Sequence, residues 1–296
     1  MSASIDWERF RGRTTFIIGD DKNSGKTTFL KRAIGALRER GLTLAYLSAG
    51  VDGERFDLIS GAPKPLIVAE VGDYLVTSES AVAESEAEFE VVERFAKRTV
   101  LGHLELLRTR RPGLVELVGP ETNRALAGVL SAVRSGADPD AVLVDGAVDR
   151  VTQVSSAVPA GYVLAMRVDG PGLQGAARRV RLALLLDGIE RHEGPDDTGG
   201  CWALEGALTE GKLEKIPGAC ETLVLEDFTR VFLDYPAMAR LVRDRRVAFR
   251  EVFELMFIVV VLDGVTREQF FEALGPESGA ALGRVVFEPY APMAGR

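Results

Sequence analysis

The run FIIGDDKNSGKTTFL, residues 16–30, joins an apolar segment to a short polar loop and then to Gly-Lys-Thr-Thr. Its apolar start reads as a buried strand. Beyond it Phe29, Leu30, Ala33, Ile34 and Leu37 recur at three-and-four spacing, which places them on one face of a helix. Strand, loop of small residues and helix, in that order, form a cradle for phosphate. Backbone N–H groups close around phosphate oxygens only where no side chain intervenes, and Ser24 and Gly25 meet that need. Lys26 has the reach for outer phosphates, the Thr27 hydroxyl suits magnesium, and the positive end of the helix favours an anion. The usual pattern has four residues between its first glycine and the Gly-Lys pair. Here five, Asp20 to Ser24, follow Gly19, so Asp20 stands where a glycine is expected. The plainer alternative is a strand-to-helix turn in which Lys26 is a first-turn surface residue.

Working outward, strand and helix signals alternate, the pattern of an α/β protein with a mostly parallel sheet flanked by helices. Strands are expected at 14–18, 43–47, 114–118, 141–144 and 162–168, and helices at 26–40, 121–134 and 172–186, with Gly41 capping the first helix. PLIVAEVGDYLVTS alternates apolar residues around Gly72-Asp73, which predicts an antiparallel hairpin insertion at about 64–78. The acidic SESAVAESEAEFEVVERFA after it reads as helix-like. RHEGPDDTGG, residues 191–200, is the best boundary, dividing an α/β domain at 1–194 from an α/β extension or second lobe at 195–296. That second part keeps alternating through ETLVLED, a helix near 236–245, MFIVVVL, a helix at 267–274 and RVVFEP.

A second element should support a magnesium ion. AVLVDGAV puts Asp145 at the C-terminal end of an apolar strand, where ligands gather in open parallel sheets. A carboxylate there binds the ion directly or through water, or else simply opens an Asp-Gly turn. Glu116, in GLVELVGP, is another carboxylate near a strand end; it either approaches the ion or lies against Arg124.

Composition excludes some classes. With 36 Lys and Arg against 44 Asp and Glu, a net charge of −8, neither nucleic acid nor an anionic membrane is expected as main partner. The arginine clusters at 108–111 and 243–246 read as solvated faces. The longest apolar run is far too short to span a bilayer, and the N-terminal residues MSASIDWERF have no signal-peptide core. Cys201 and Cys220 are the only cysteines, which fits the cytoplasm. No Lys-x-Asp occurs, so the guanine-reading motif is missing and ATP is favoured over GTP. His103 and His192 stand alone, as packing or surface residues.

The lengthened loop is similar to that of dethiobiotin synthetase and related P-loop proteins. In such proteins a switch residue that positions the attacking water follows the second strand. Asp52, in SAGVDGERFD, occupies that place, with a plain Asp-Gly turn as the alternative. The runs IIGDDKNSGKTT, SAGVDGERFDLISGAPKPLIV, GLVELVGP, AVLVDGAVDR, GALTEGKLEK and LVLEDFTRVFL, in this order, resemble the P-loop reactivase subunit of adenosylcobalamin-dependent lysine 5,6-aminomutase. The likeness covers about residues 14–262, and VDGERFD with GAPKP is its most specific part.

The resemblance implies an ATP-dependent reactivating chaperone that releases damaged cobalamin from an aminomutase, with ATP and Mg2+ as cofactors. Its implied partners are the mutase and a second reactivase subunit, and a homo-oligomer is compatible with it. The candidate nucleotide-binding set is Gly19, Asn23, Ser24, Gly25, Lys26, Thr27 and Thr28. Lys26 and Asp52 are the candidate catalytic residues, Thr27, Asp145 and Glu116 the candidate metal set, and Asp52 to Arg55 a candidate switch. The segments near 66–93 would serve as contact surfaces, or cover a sheet edge. Two other functions fit the same residues: a small-molecule ligase or kinase resembling dethiobiotin synthetase, and a non-hydrolysing assembly module.

Overall fold

The computed structural model describes residues 4–19, 24–49, 66–99, 101–146, 159–194, 200–275, 279 and 283–288. The chain forms two compact units, one of Asp6–Ala165 and one of Met166–Arg296 with Met1–Ile5. The boundary expected at 194/195 borders residues 195–199, which lie outside the described residues.

In the Asp6–Ala165 unit β1 (Thr14–Gly19) leads to α1 (Lys26–Arg38) and β2 (Leu44–Ala49). There follow β3 (Ile67–Ala69), β4 (Tyr74–Ser78), α2 (Glu79–Ala83), β5 (Glu88–Thr99), β6 (Gly102–Arg111) and β7 (Gly113–Val115). α3 (Asn123–Ala137), β8 (Ala141–Gly146) and β9 (Ala160–Val168) complete it, β9 running on into the second unit. The sheet has the order β9-β1-β8-β2-β4-β6-β5. From β9 to β4 all neighbours are parallel, whereas β6 and β5 run antiparallel. β1 is buried along its whole length, and β8 through Val144, which is why both read as continuous apolar runs rather than alternating ones.

α1 buries the five apolar residues that its spacing predicts, Phe29, Leu30, Ala33, Ile34 and Leu37, and packs on β1, β8 and β2. Side chains of this size contribute about 1.5–3 kcal/mol each when fully buried, with Ala33 below that range. The chain leaves the helix at Gly41, whose N–H bonds Arg38 O at 2.8 Å. A 3-10 turn at Trp7–Phe10, capped by Asp6, lays Trp7 on Phe29 with ring centroids 6.0 Å apart. α3 begins at its N-cap Thr122, whose hydroxyl accepts from the Ala125 N–H, and buries Leu126, Val129, Leu130 and Val133.

The Met166–Arg296 unit continues with α4 (Leu173–Asp187), β10 (Cys201–Ala203), α5 (Glu210–Leu213), β11 (Thr222–Leu225), α6 (Tyr235–Asp244) and β12 (Arg246–Phe249). Then come β13 (Glu254–Leu262), α7 (Arg267–Leu274) and β14 (Val285–Glu288). β10, β11 and β12 form a parallel sheet over a core that includes Leu208, Leu223, Met238 and Phe249. β13 and β14 are parallel partners. α7 opens on a Thr266–Gln269 capping box and ends with Arg181 donating to the carbonyls of Ala273 and Leu274. No helix among the described residues is long and apolar enough to cross a membrane.

Three expectations are corrected. Residues 64–78 are not a hairpin: the turn at Gly72-Asp73 forms, but its flanking strands part. β3 pairs with β7, while β4 enters the main sheet between β2 and β6. The cause is Asp73, whose carboxylate is 5% exposed, pairs with Arg38 of α1 and accepts from Tyr46 of β2 and from the Glu70 N–H. These bonds pin the turn beneath α1 and β2, so β4 continues alongside β2 instead of folding back.

The antiparallel hairpin is instead β5–β6, and that overturns the second expectation. Only Glu79–Ala83 of the acidic stretch is helical, and Glu88–Thr99 is the edge strand. Phe89, Val91, Val92 and Phe95 favour a strand, and cross-strand partners on β6 outweigh the helix preference of the interspersed glutamates. Third, the strand expected at 114–118 stops at Val115. The Thr77 hydroxyl then takes over the backbone, donating to Glu116 O at 2.7 Å and accepting from the Val118 N–H at 3.1 Å.

Candidate functional site

β1 and β8 are direct parallel neighbours, with Ile17 opposite Asp145, and Asp145 also lies opposite Ser48 of β2. Asp145 therefore stands at the C-terminal edge of the sheet, beside the point where β1 hands over to α1. Thr27, in the first turn of α1, donates its hydroxyl to Asp145 Oδ2 at 3.1 Å. Two residues separated by 118 positions in the chain meet because the strand order brings their ends together.

The loop enters α1 through Gly25, the N-cap, at φ 92°. This left-handed conformation strains residues with a Cβ and is routine for glycine. Among the described residues no side chain caps the helix, whose first-turn N–H groups have no partner within the helix itself. Ser24 is 1% exposed, and its Oγ accepts from Lys26 Nζ at 3.2 Å. Gly19 closes β1: a Cβ there would overlap Ser24 Oγ and lie 2.8 Å from the Ala165 carbonyl. The chain is thus drawn in on both sides of the loop. Thr28 is exposed on α1.

Electrostatics set the corner apart. Burial pushes the Asp145 carboxyl above its ordinary range, while the Thr27 hydrogen bond and the Lys26 charge pull it back without cancelling the effect. An acid held in this way gains from a neighbouring cation. Gly119 completes the rim: a Cβ on it would overlap the Ser48 carbonyl, so the segment carrying Glu116 runs tight against the end of β2.

The structure brings together Gly19, Ser24, Gly25, Lys26, Thr27 and Asp145 at one edge. Glu116 follows β7, its carbonyl fixed by Thr77 near the end of β4. Asp20, Asn23, Asp52 and the Asp52–Arg55 switch lie outside the described residues. Among the described residues no group of three His, Cys, Asp or Glu is arranged to hold a metal ion. The Thr27 hydroxyl and the Asp145 carboxylate could hold an ion at this corner only if its other ligands came from elsewhere, such as phosphate and water. Cys201 and Cys220 are not joined in a disulfide. His103 Nδ1 lies 3.0 Å from the Phe95 carbonyl, a packing role.

Sequence reasoning missed Thr77, Gly119 and the Arg38–Tyr46–Asp73 cluster. Asp73 read as a turn residue because Gly-Asp is a turn signal, and nothing local showed a salt-bridge partner on α1. Within the cluster, burial raises the Tyr46 hydroxyl pKa and the Asp73 charge raises it further. Burial works against the Arg38 charge, but the Asp73 hydrogen bond and charge outweigh it, and the guanidinium is held above its ordinary value.

The architecture is α/β, a mostly parallel mixed sheet flanked by helices, compatible with a Rossmann or P-loop-like fold. No family model, curated protein or solved structure matches the chain.

Proposed function

We propose that the chain binds magnesium ATP at the β1–α1 corner and acts as an ATP-dependent reactivating chaperone for a cobalamin-dependent aminomutase in the cytoplasm. The observation that carries the nucleotide half is the Thr27–Asp145 hydrogen bond at 3.1 Å, beside Lys26 and the start of α1 at Gly25. The group fits these residues: Gly19 and Gly25 carry no side chain at the two ends of the loop, and the half-buried carboxylate of Asp145, held above its ordinary range, would gain from a cation. Lys26 and the first-turn N–H groups of α1 would hold phosphate, and Thr27 with Asp145 would hold the ion. Bound magnesium supplies charge neutralisation on the phosphate oxygens. Asp145 orients the Thr27 hydroxyl, and Gly19 lets Ser24 approach the end of β1 closely.

The partner half rests on the ordered resemblance of IIGDDKNSGKTT, VDGERFD, GLVELVGP and AVLVDGAVDR to the reactivase subunit. A switch segment after β2 that changes shape with nucleotide state would couple hydrolysis to a protein surface. Two measurements on the full chain separate the halves. Titration calorimetry with magnesium ATP should give saturable binding that Lys26→Ala removes; heat absent from the parent chain overturns the nucleotide reading. Incubation of an inactivated cobalamin-dependent aminomutase with the chain, ATP and magnesium should restore activity, and Lys26→Ala should not. Nucleotide binding without rescue, or turnover stimulated by a small metabolite instead of the mutase, rejects the chaperone role and leaves the ATP site standing.

A further inference from the structure

Between α3 and the β5–β6 hairpin lies a groove of about 500 Å³, lined by none of the residues of the β1–α1 corner. α3 gives it Ala125, Gly128, Val129 and Ala132, small residues at three-and-four spacing, and the hairpin gives Phe95 and Leu104. A groove of this size with an apolar floor and a few polar groups at its rim has the character of a small-molecule site. Gly128 is central to it. The residue is exposed inside a helix, and a Cβ built on it would meet nothing within 4 Å. Glycine is the poorest ordinary helix former after proline. Internal packing does not demand it here, and its effect is to keep the groove open.

Charge gives the groove a direction. A Cβ built on Gly136, in the last turn of α3, would lie 3.9 Å from Val92, so α3 and β5 run antiparallel along the groove. Arg98 and Arg124 therefore share the end near the start of α3, and Glu93 falls toward the other end. Neither arginine makes an ion pair among the described residues, whereas Arg38, Arg94, Arg110 and Arg111 of the same unit each do. Glu121 is exposed at the rim beside Arg124, and Glu79, already paired with Arg94 and bonded to the His103 N–H, attracts Arg98 from beyond ion-pair distance. Glu93 and Arg98 lie opposite Leu106 and His103 of β6, three residues apart, so at about 3.3 Å per strand residue they stand roughly 10 Å apart, the length of a medium aliphatic chain.

We propose that this groove binds a small amphipathic carboxylate, its apolar body lying over Gly128 and its carboxylate held between Arg98 and Arg124. Two guanidiniums with planar donor forks suit a carboxylate, and the apolar floor takes the chain behind it. The inference does not depend on the nucleotide reading.

Decanoate, below the concentration at which it forms micelles, is the probe, titrated by calorimetry into the full chain. Saturable one-to-one binding is expected, weakened about tenfold or more by Gly128→Leu, which fills the open space, and by Arg124→Glu, a surface change that reverses the charge. Decyltrimethylammonium should bind at least about tenfold more weakly than decanoate. The proposal is overturned by absence of saturable decanoate binding, by binding that Gly128→Leu and Arg124→Glu leave unchanged, or by equal affinity for the ammonium probe. Adsorption to phosphatidylserine vesicles without binding of free decanoate also overturns it, and identifies the surface as a lipid contact. Near-ultraviolet circular dichroism matching that of the parent chain shows that each variant is folded.

Discussion

The β1–α1–β8 corner holds a half-buried aspartate and the β2–β4 junction a buried one, and among the described residues the two are satisfied to different degrees. Asp73 pairs with Arg38 and accepts from Tyr46 and from the Glu70 N–H. Asp145 accepts one hydrogen bond among the described residues, from the Thr27 hydroxyl, with Lys26 close enough to be felt as a charge. A saturated buried cluster fixes a fold, because every group in it would lose on separation. An unsaturated one costs stability in the free protein and gains it back when a cation arrives. The contrast separates a structural clasp from the candidate site.

Removing the clasp gives the largest expected effect. Asp73→Ala leaves the buried Tyr46 hydroxyl without its acceptor and the half-buried Arg38 with only the Val68 carbonyl, and should lower the unfolding free energy by about 3 kcal/mol, read from urea denaturation. A loss under about 1 kcal/mol would abolish the distinction between the two aspartates. Lys26→Ala attacks the other side of the comparison: magnesium ATP affinity should fall about 100-fold while the urea midpoint barely moves.

Asp145→Asn sharpens the contrast through pH. The folded protein holds the Asp145 carboxyl above its ordinary value, so this group's contribution to stability is fully present below the unfolded pKa and is lost as pH rises through the raised folded one. The variant removes that loss. Free Asp145→Asn should therefore melt above the parent chain near about pH 7, with the gain vanishing as pH falls to about 4 or below, while its magnesium ATP binding is weakened. Thermal melts across that range, with and without nucleotide, check both signs.

Two smaller effects concern the outer flank. Gly128→Ala should stabilise the chain by about 0.5–1 kcal/mol, since alanine favours the helix and its methyl meets no neighbour. Arg110→Ala breaks an exposed pair with Glu90 and should shift stability by no more than about 0.5 kcal/mol, because water screens both partners.

These two regions also differ in how far they could be read in advance. α1 was legible because its buried face repeats every turn, and β1 and β8 because central parallel strands are apolar throughout. Gly25, Lys26 and Thr27 were legible as a group because they adjoin in sequence. The flank was not. Glu88–Thr99 carries helix-favouring glutamates among strand-favouring valines and phenylalanines, and only its partner on β6 decides between them. The 64–78 stretch has the alternation and turn of a hairpin, yet its strands part, because Asp73 answers to Arg38 and Tyr46 rather than to its neighbours in the chain.

By itself the sequence determined the alternating α/β order, the amphipathic face of α1 and its start at Gly25, since each depends on residues within a few positions of one another. Tertiary structure alone decided that β1 lies beside β8, so that Thr27 and Asp145 meet, and that β4 joins β2 while β5 takes the edge. Such pairings depend on which distant groups satisfy one another's buried hydrogen bonds and charges, and no local periodicity encodes that choice.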